Sequence, residues 1–145
     1  MGMPFTLQYA REQVDPAHWH TPGFLRTNHV ITGVWGLAFL VAAVSGAYGD
    51  IVLHDPNDLW TGWIIQILAI VAAIRFTDWY PKVVRARVLR ARGEPLAEEP
   101  GLSGLLLPLA GLLVPVGIAV LIFENTWGGL SLIVLGSVLT KILRD

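Results

Sequence analysis

Two short stretches carry side chains able to do chemistry together: Asn28 and His29 in TNHV, and Arg75, Asp78, Trp79 and Tyr80 in IRFTDWYP. An imidazole beside a carboxylate is an acid–base pair, in which the acid orients the ring that moves the proton. An imidazole beside a guanidinium would instead hold an anionic lipid headgroup or an amphiphile, because both donate to phosphate or carboxylate oxygens. Asp78 has a third use, as ion-pair partner of Arg75. The plainer alternative is anchoring, since a snorkelling arginine, a capping Asn and interfacial aromatics are what any membrane boundary carries. The candidate binding residues are therefore His29, Arg75, Asp78 and Tyr80, together with Arg85 from the basic run that follows. None of them is assigned a catalytic role.

Other clusters are weaker. Asp15, His18 and His20 have metal-ligand chemistry, but two histidines at i and i+2 face one side only in an extended strand. Asp50, His54, Asp55 and Asp58 form an oxygen-rich loop of the kind a hard cation prefers, although a solvated acidic turn has the same composition. A haem needs two facing histidines inside a bundle, and no such pair is spaced for it. With no cysteine in the chain, thiolate metal sites, disulfides and cysteine nucleophiles are excluded. The sequence thus implies no metal and no cofactor.

These residues sit at the ends of long apolar segments. Hydrophobic residues make up 54% of the 145 and charged residues 14%, against about 25% charged in soluble domains. Four apolar runs, at about 28–48, 60–76, 102–123 and 127–143, with Arg75 and Lys141 near the ends of the second and fourth, each approach the length needed to cross roughly 30 Å of hydrocarbon. The expectation is an all-α membrane protein: an antiparallel bundle of four transmembrane helices, with a basic cytoplasmic helix between spans two and three. Residues 1–26 read as a cytoplasmic N-terminal arm, 27–145 as the membrane domain and 77–101 as a cytoplasmic connection. Thr27 or Asn28 would cap the first span. Pro81 would bend the second where it runs on into the basic stretch.

Orientation follows from the segregation of charge. Arg11 and Arg26 precede span one, six basic residues lie from Arg75 to Arg92, and Lys141 and Arg144 follow span four. The other two connections carry none, so the positive-inside bias puts both termini in the cytoplasm. The expected setting is a bacterial cytoplasmic (inner) membrane.

Within lipid, helices associate through small side chains that let backbones approach. Such stripes occur at Ala38, Ala42, Ser45 and Gly49 in span one, and at Gly62, Gln66, Ala69 and Ala73 in span two. Span three offers Gly104, Pro108, Gly111 and Pro115, and span four Gly129, Gly136 and Thr140. Gln66 is the one strongly polar residue deep in a span, suited to an interhelical hydrogen bond. Pro108 and Pro115 loosen span three, and with Gln66 they are the candidate pathway or packing residues.

In size and number of spans the chain is similar to the small multidrug resistance transporters. That family relies on an acidic residue in its first span, where this sequence has none, so the transport activity is not implied. The expected function is a non-catalytic accessory or scaffold subunit whose basic surface meets anionic headgroups, a protein partner or a second copy. Nucleic acid is not an expected partner. The alternatives are an oligomeric small-solute transporter or channel, and an interfacial lipid enzyme using His29 and Asp78.

Overall fold

The computed structural model describes residues 21–94, 100–124 and 127–144. Among these, four helices are long and apolar enough to cross a membrane, compatible with a multi-pass membrane protein. Helix α1 is Pro22–Ile51, α2 is Ile65–Ala91 preceded by a π-helical turn over Leu59–Ile64, α3 is Leu102–Glu124 and α4 is Trp127–Arg144.

Helix α1 starts earlier than its apolar pattern suggests. The Thr21 hydroxyl accepts from Phe24 N–H at 3.4 Å and Pro22 occupies the first turn, where its missing N–H costs nothing. The cap expected at Thr27 or Asn28 is thereby displaced. Asn28 lies inside the helix, 2% exposed, and its Nδ2 donates to Phe24 O at 2.9 Å. Residues 22–26 of the expected arm are thus helical, while Arg11, Asp15, His18 and His20 lie outside the described residues. At the other boundary α2 passes through Pro81 unbroken and carries the basic run as far as Ala91.

Helices α1 and α2 form one hairpin. The Trp35 indole donates to Thr77 Oγ1 at 3.0 Å and the Ser45 hydroxyl to Thr61 O at 2.9 Å, so numbers rise along one helix as they fall along the other. The α1 face is a heptad-like row: Asn28, Ile31, Ala38, Ser45 and Gly49 are buried, with Trp35 and Ala42 half-buried among them. This 3–4 spacing is the seam of a left-handed helix pair. It takes in the expected small stripe and extends it toward the N-terminus. Opposite that extension, Val83 and Ala86 of α2 are buried, so packing continues well beyond Arg75. The strip Val84, Val88 and Ala91, apolar on a helical wheel, stays half-open to open.

Helices α3 and α4 form the second hairpin, through glycine. A Cβ on Gly117 would stand 2.6 Å from Gly129 O, one on Gly129 2.7 Å from Gly117 O, and one on Gly136 2.9 Å from Ala110 O. Backbone therefore meets backbone along the pair, the close approach that small residues permit in lipid. Span four behaves as expected at Gly129 and Gly136. Span three does not: its buried residues are Ala110, Gly117 and Val120, whereas Gly104 and Pro115 are exposed and Pro108 and Gly111 half-buried. The Gly–Pro row is displaced because a proline ring blocks close backbone approach, while the row through Gly117 offers it.

The two hairpins touch one another far less than each touches itself. Gly117→Ala should therefore destabilise by about 1–3 kcal/mol through overpacking, whereas Gly111→Ala, which meets nothing within 4 Å, should be neutral or stabilising. Unfolding in mild detergent followed by circular dichroism measures both. Equal effects would show that the glycine contact does not bear on stability.

Candidate functional site

At the acidic end of the molecule, polar groups converge on Thr61. Asp58 caps the π turn, accepting from Thr61 N at 2.8 Å and Thr61 Oγ1 at 2.7 Å. The Thr61 carbonyl accepts twice, from Ser45 Oγ at 2.9 Å and Gln66 Nε2 at 3.0 Å. A π turn opens the helical ladder, so a carbonyl there is reachable from the side. Gln66 therefore bonds within its own helix instead of across to another. Crowding fixes the arrangement, since a Cβ on Gly49 would overlap Thr61 Oγ1 and one on Gly62 would stand 2.9 Å from Pro56 O.

Two indoles join the hairpins, one at each end. Trp60 Nε1 donates to Glu124 Oε2 at 3.0 Å, and Trp79 Nε1 to Gly101 O at 3.1 Å. The nineteen-residue interval between these tryptophans spans roughly 28 Å at helical rise, close to a hydrocarbon core. Indoles suit this position because one edge is polar and the body apolar. Neither bond is legible in the sequence, because nothing local to Trp60 or Trp79 points to residues 64 and 22 positions away.

At the basic end the expected residues separate. His29 is exposed, its Nδ1 2.7 Å from Leu25 O. Carrying the register of the first hairpin past Trp35 and Thr77 sets His29 opposite the Pro81–Val84 stretch, beyond Asp78. Arg75, Asp78 and Arg85 are exposed, and Tyr80 is half-buried, stacked on Phe76 with centroids 5.1 Å apart. Arg75, Asp78, Lys82 and Arg85 follow one another at spacings of three and four, so they share one face of α2. Among the described residues no side chain of the four has a hydrogen bond or ion pair. Grouped His, Asp and Glu side chains able to hold a metal ion are also absent among the described residues.

Between the hairpins lies an apolar cleft of about 330 Å³, bounded by Leu68 and Ala72 of α2, Leu106, Leu109 and Leu113 of α3, and Leu139 and Leu143 of α4. In α4, Thr140 Oγ1 is buried without a hydrogen-bond partner among the described residues. Nothing in the sequence marks this cleft, since leucines on three helices do not show which of them fail to meet. Comparison with family models, with curated proteins and with solved structures yields no match. What the site does must come from its own geometry.

One acid dependence follows. The backbone N–H and then the hydroxyl of Thr61, bonding the carboxylate, hold Asp58 below its ordinary value of 3.8, against a smaller opposing effect of burial. A lowered carboxylate value gives stability that is present above the ordinary value and lost as pH falls through the folded one. Acidification from about pH 5 to about pH 3 should lower the unfolding midpoint of the wild type more than that of Asp58→Asn, which has no charge to lose. Equal losses would remove Asp58 from the account.

Proposed function

We propose that the protein is a non-catalytic accessory or scaffold subunit of a bacterial cytoplasmic membrane, whose exposed basic helix face binds anionic lipid headgroups or a protein partner. In this reading the four helices cross as an antiparallel bundle with both termini and the basic end of α2 in the cytoplasm. One observation carries it: Arg75, Lys82 and Arg85 stand exposed on one face of α2 without partners among the described residues. Meanwhile Val83 and Ala86 lock the same segment against the fold. A rigid helix face with three cations to the one carboxylate of Asp78 attracts anionic headgroups when it lies near the membrane surface, each cation contributing about 1 kcal/mol.

The transport alternative is less well supported. Gln66, its one deep polar group, is occupied by the Thr61 carbonyl, and Pro115 faces outward. The lipid-enzyme alternative needs His29 and Asp78 together, and the helix register sets them apart.

Reconstitution into nanodiscs of mixed phosphatidylglycerol and phosphatidylcholine tests the proposal. The wild type should enrich phosphatidylglycerol around itself, and Lys82→Gln with Arg85→Gln should remove about 2 kcal/mol of that preference. An unchanged preference, together with an unchanged set of co-purifying proteins, would refute it. Because the chain has no cysteine, orientation can be read separately by single-cysteine labelling. An impermeant maleimide should reach Asn57→Cys in intact cells and Arg92→Cys only after permeabilisation, and the reverse pattern would invert the topology.

A further inference from the structure

We infer that the junction between the hairpins is an acid-sensitive latch: protonation of Glu124 releases its acidic end, while its basic end stays closed and acts as the hinge. The inference concerns the contact between the hairpins and does not rest on the headgroup binding proposed above.

The two clasps differ in chemistry. At the basic end the Trp79 indole donates to the Gly101 carbonyl at 3.1 Å, and a peptide oxygen carries no titratable proton. At the acidic end the Trp60 indole donates to Glu124 Oε2 at 3.0 Å, an acceptor that acid neutralises. A bond to an ionised carboxylate is roughly twice as strong as one to a neutral oxygen. The protonated acid also gains an O–H that needs an acceptor, and an indole, a donor only, cannot supply one. Acid therefore weakens one clasp and leaves the other as it was.

Both partners of the acidic clasp sit on firm supports. Trp60 lies in the π turn that Asp58 caps. Glu124 is the last residue of α3, which the close approach of Gly117 to Gly129 holds against α4. The hairpins themselves touch one another far less than each touches itself. Weakening the clasp thus moves one hairpin against the other, about the Trp79–Gly101 bond, and leaves each hairpin intact.

The other titratable groups at this end set the opposing effect. They are Tyr48 and Asp50 at the end of α1, His54 and Asp55 in the connection, and Asp58 at the head of the π turn. Helix α2 brings no charge before Arg75 and α4 none before Lys141. Among the described residues no cation pairs with Glu124. Protonating Glu124 relieves its repulsion from the carboxylates, which favours closure. Asp50 and Asp55 are exposed, so water and salt screen them, and Asp58 is engaged by the Thr61 N–H and hydroxyl. The indole touches the Glu124 carboxylate directly, so the weakened bond decides the sign.

Double electron–electron resonance on the full chain in nanodiscs reads each end separately. Labels at Tyr48→Cys and Ile122→Cys, both exposed, span the acidic end. Labels at His29→Cys and Lys141→Cys, also exposed, span the basic end. From pH 7 to about pH 4 the acidic-end distances should lengthen and broaden, the open population rising about tenfold. The basic-end distances should stay narrow. Glu124→Gln, which keeps an oxygen for the indole but no charge, should be shifted toward the open form at pH 7 and indifferent to acid. Asp58→Asn and His54→Ala should keep the response. Should acid unfold the chain, Glu124→Gln and Trp60→Phe at pH 7 should still broaden the acidic end alone. The inference is overturned if acid narrows the acidic-end distances or leaves them unchanged, or if both ends broaden together. It is also overturned if Glu124→Gln responds to acid as the wild type does, or if Asp58→Asn or His54→Ala abolishes the response.

Discussion

In a membrane the constraint that governs everything else is the absence of water to complete a hydrogen bond, which drives polar contacts between helices toward the two ends. The indoles of Trp60 and Trp79 obey it. Each donates across from the first hairpin to the second, at Glu124 on the acidic side and Gly101 on the basic side. Because both ends of the junction are tied, its middle is free of polar requirement. It is there that the leucine-lined cleft lies.

The contrast in packing explains why the hairpins remain separate units. Gly117, Gly129 and Gly136 bring α3 and α4 together backbone to backbone, and the small residues Ala38, Ser45 and Gly49 are buried along α1. Between the hairpins leucines of α2, α3 and α4 line a cleft instead, and bulky side chains hold backbones apart. Thr61 consolidates the first hairpin by accepting from both Ser45 and Gln66 while donating to Asp58. The same hairpin then extends past Arg75 through Asn28, Ile31, Val83 and Ala86. That extension sets the basic side chains on a fixed helix instead of a pliable loop.

Much of this was legible in the sequence for a physical reason. Length and apolarity are properties of each segment alone, so four helices could be read residue by residue, with ends at Glu124 and Trp127 close to their expected places. The small-residue rows of α1 and α4 were also readable, because glycine and alanine at helical spacing have few other uses in lipid. The packing row of α3 is not legible in the same way, since Gly104–Pro108–Gly111–Pro115 and Ala110–Gly117 are both small and only the partner helix selects the second. The helix start was misplaced because Asn28, an excellent capping residue, is used inside the helix to bond Phe24 O, while Thr21 caps. The grouping of His29 with Arg75 and Asp78 rests on position along each helix alone, and the sequence carries no register between the two helices. The Trp35–Thr77 bond supplies that register and sets His29 opposite the Pro81–Val84 stretch.

The central claim is that two rigid hairpins are clasped at their ends by indoles. Double electron–electron resonance between spin labels, introduced singly at exposed positions of each hairpin in the otherwise cysteine-free chain, addresses it directly. Replacing Trp60 and Trp79 together by Phe should broaden the distances between hairpins and leave those within each hairpin narrow. Distances between hairpins that stay as narrow as in the wild type would contradict the account.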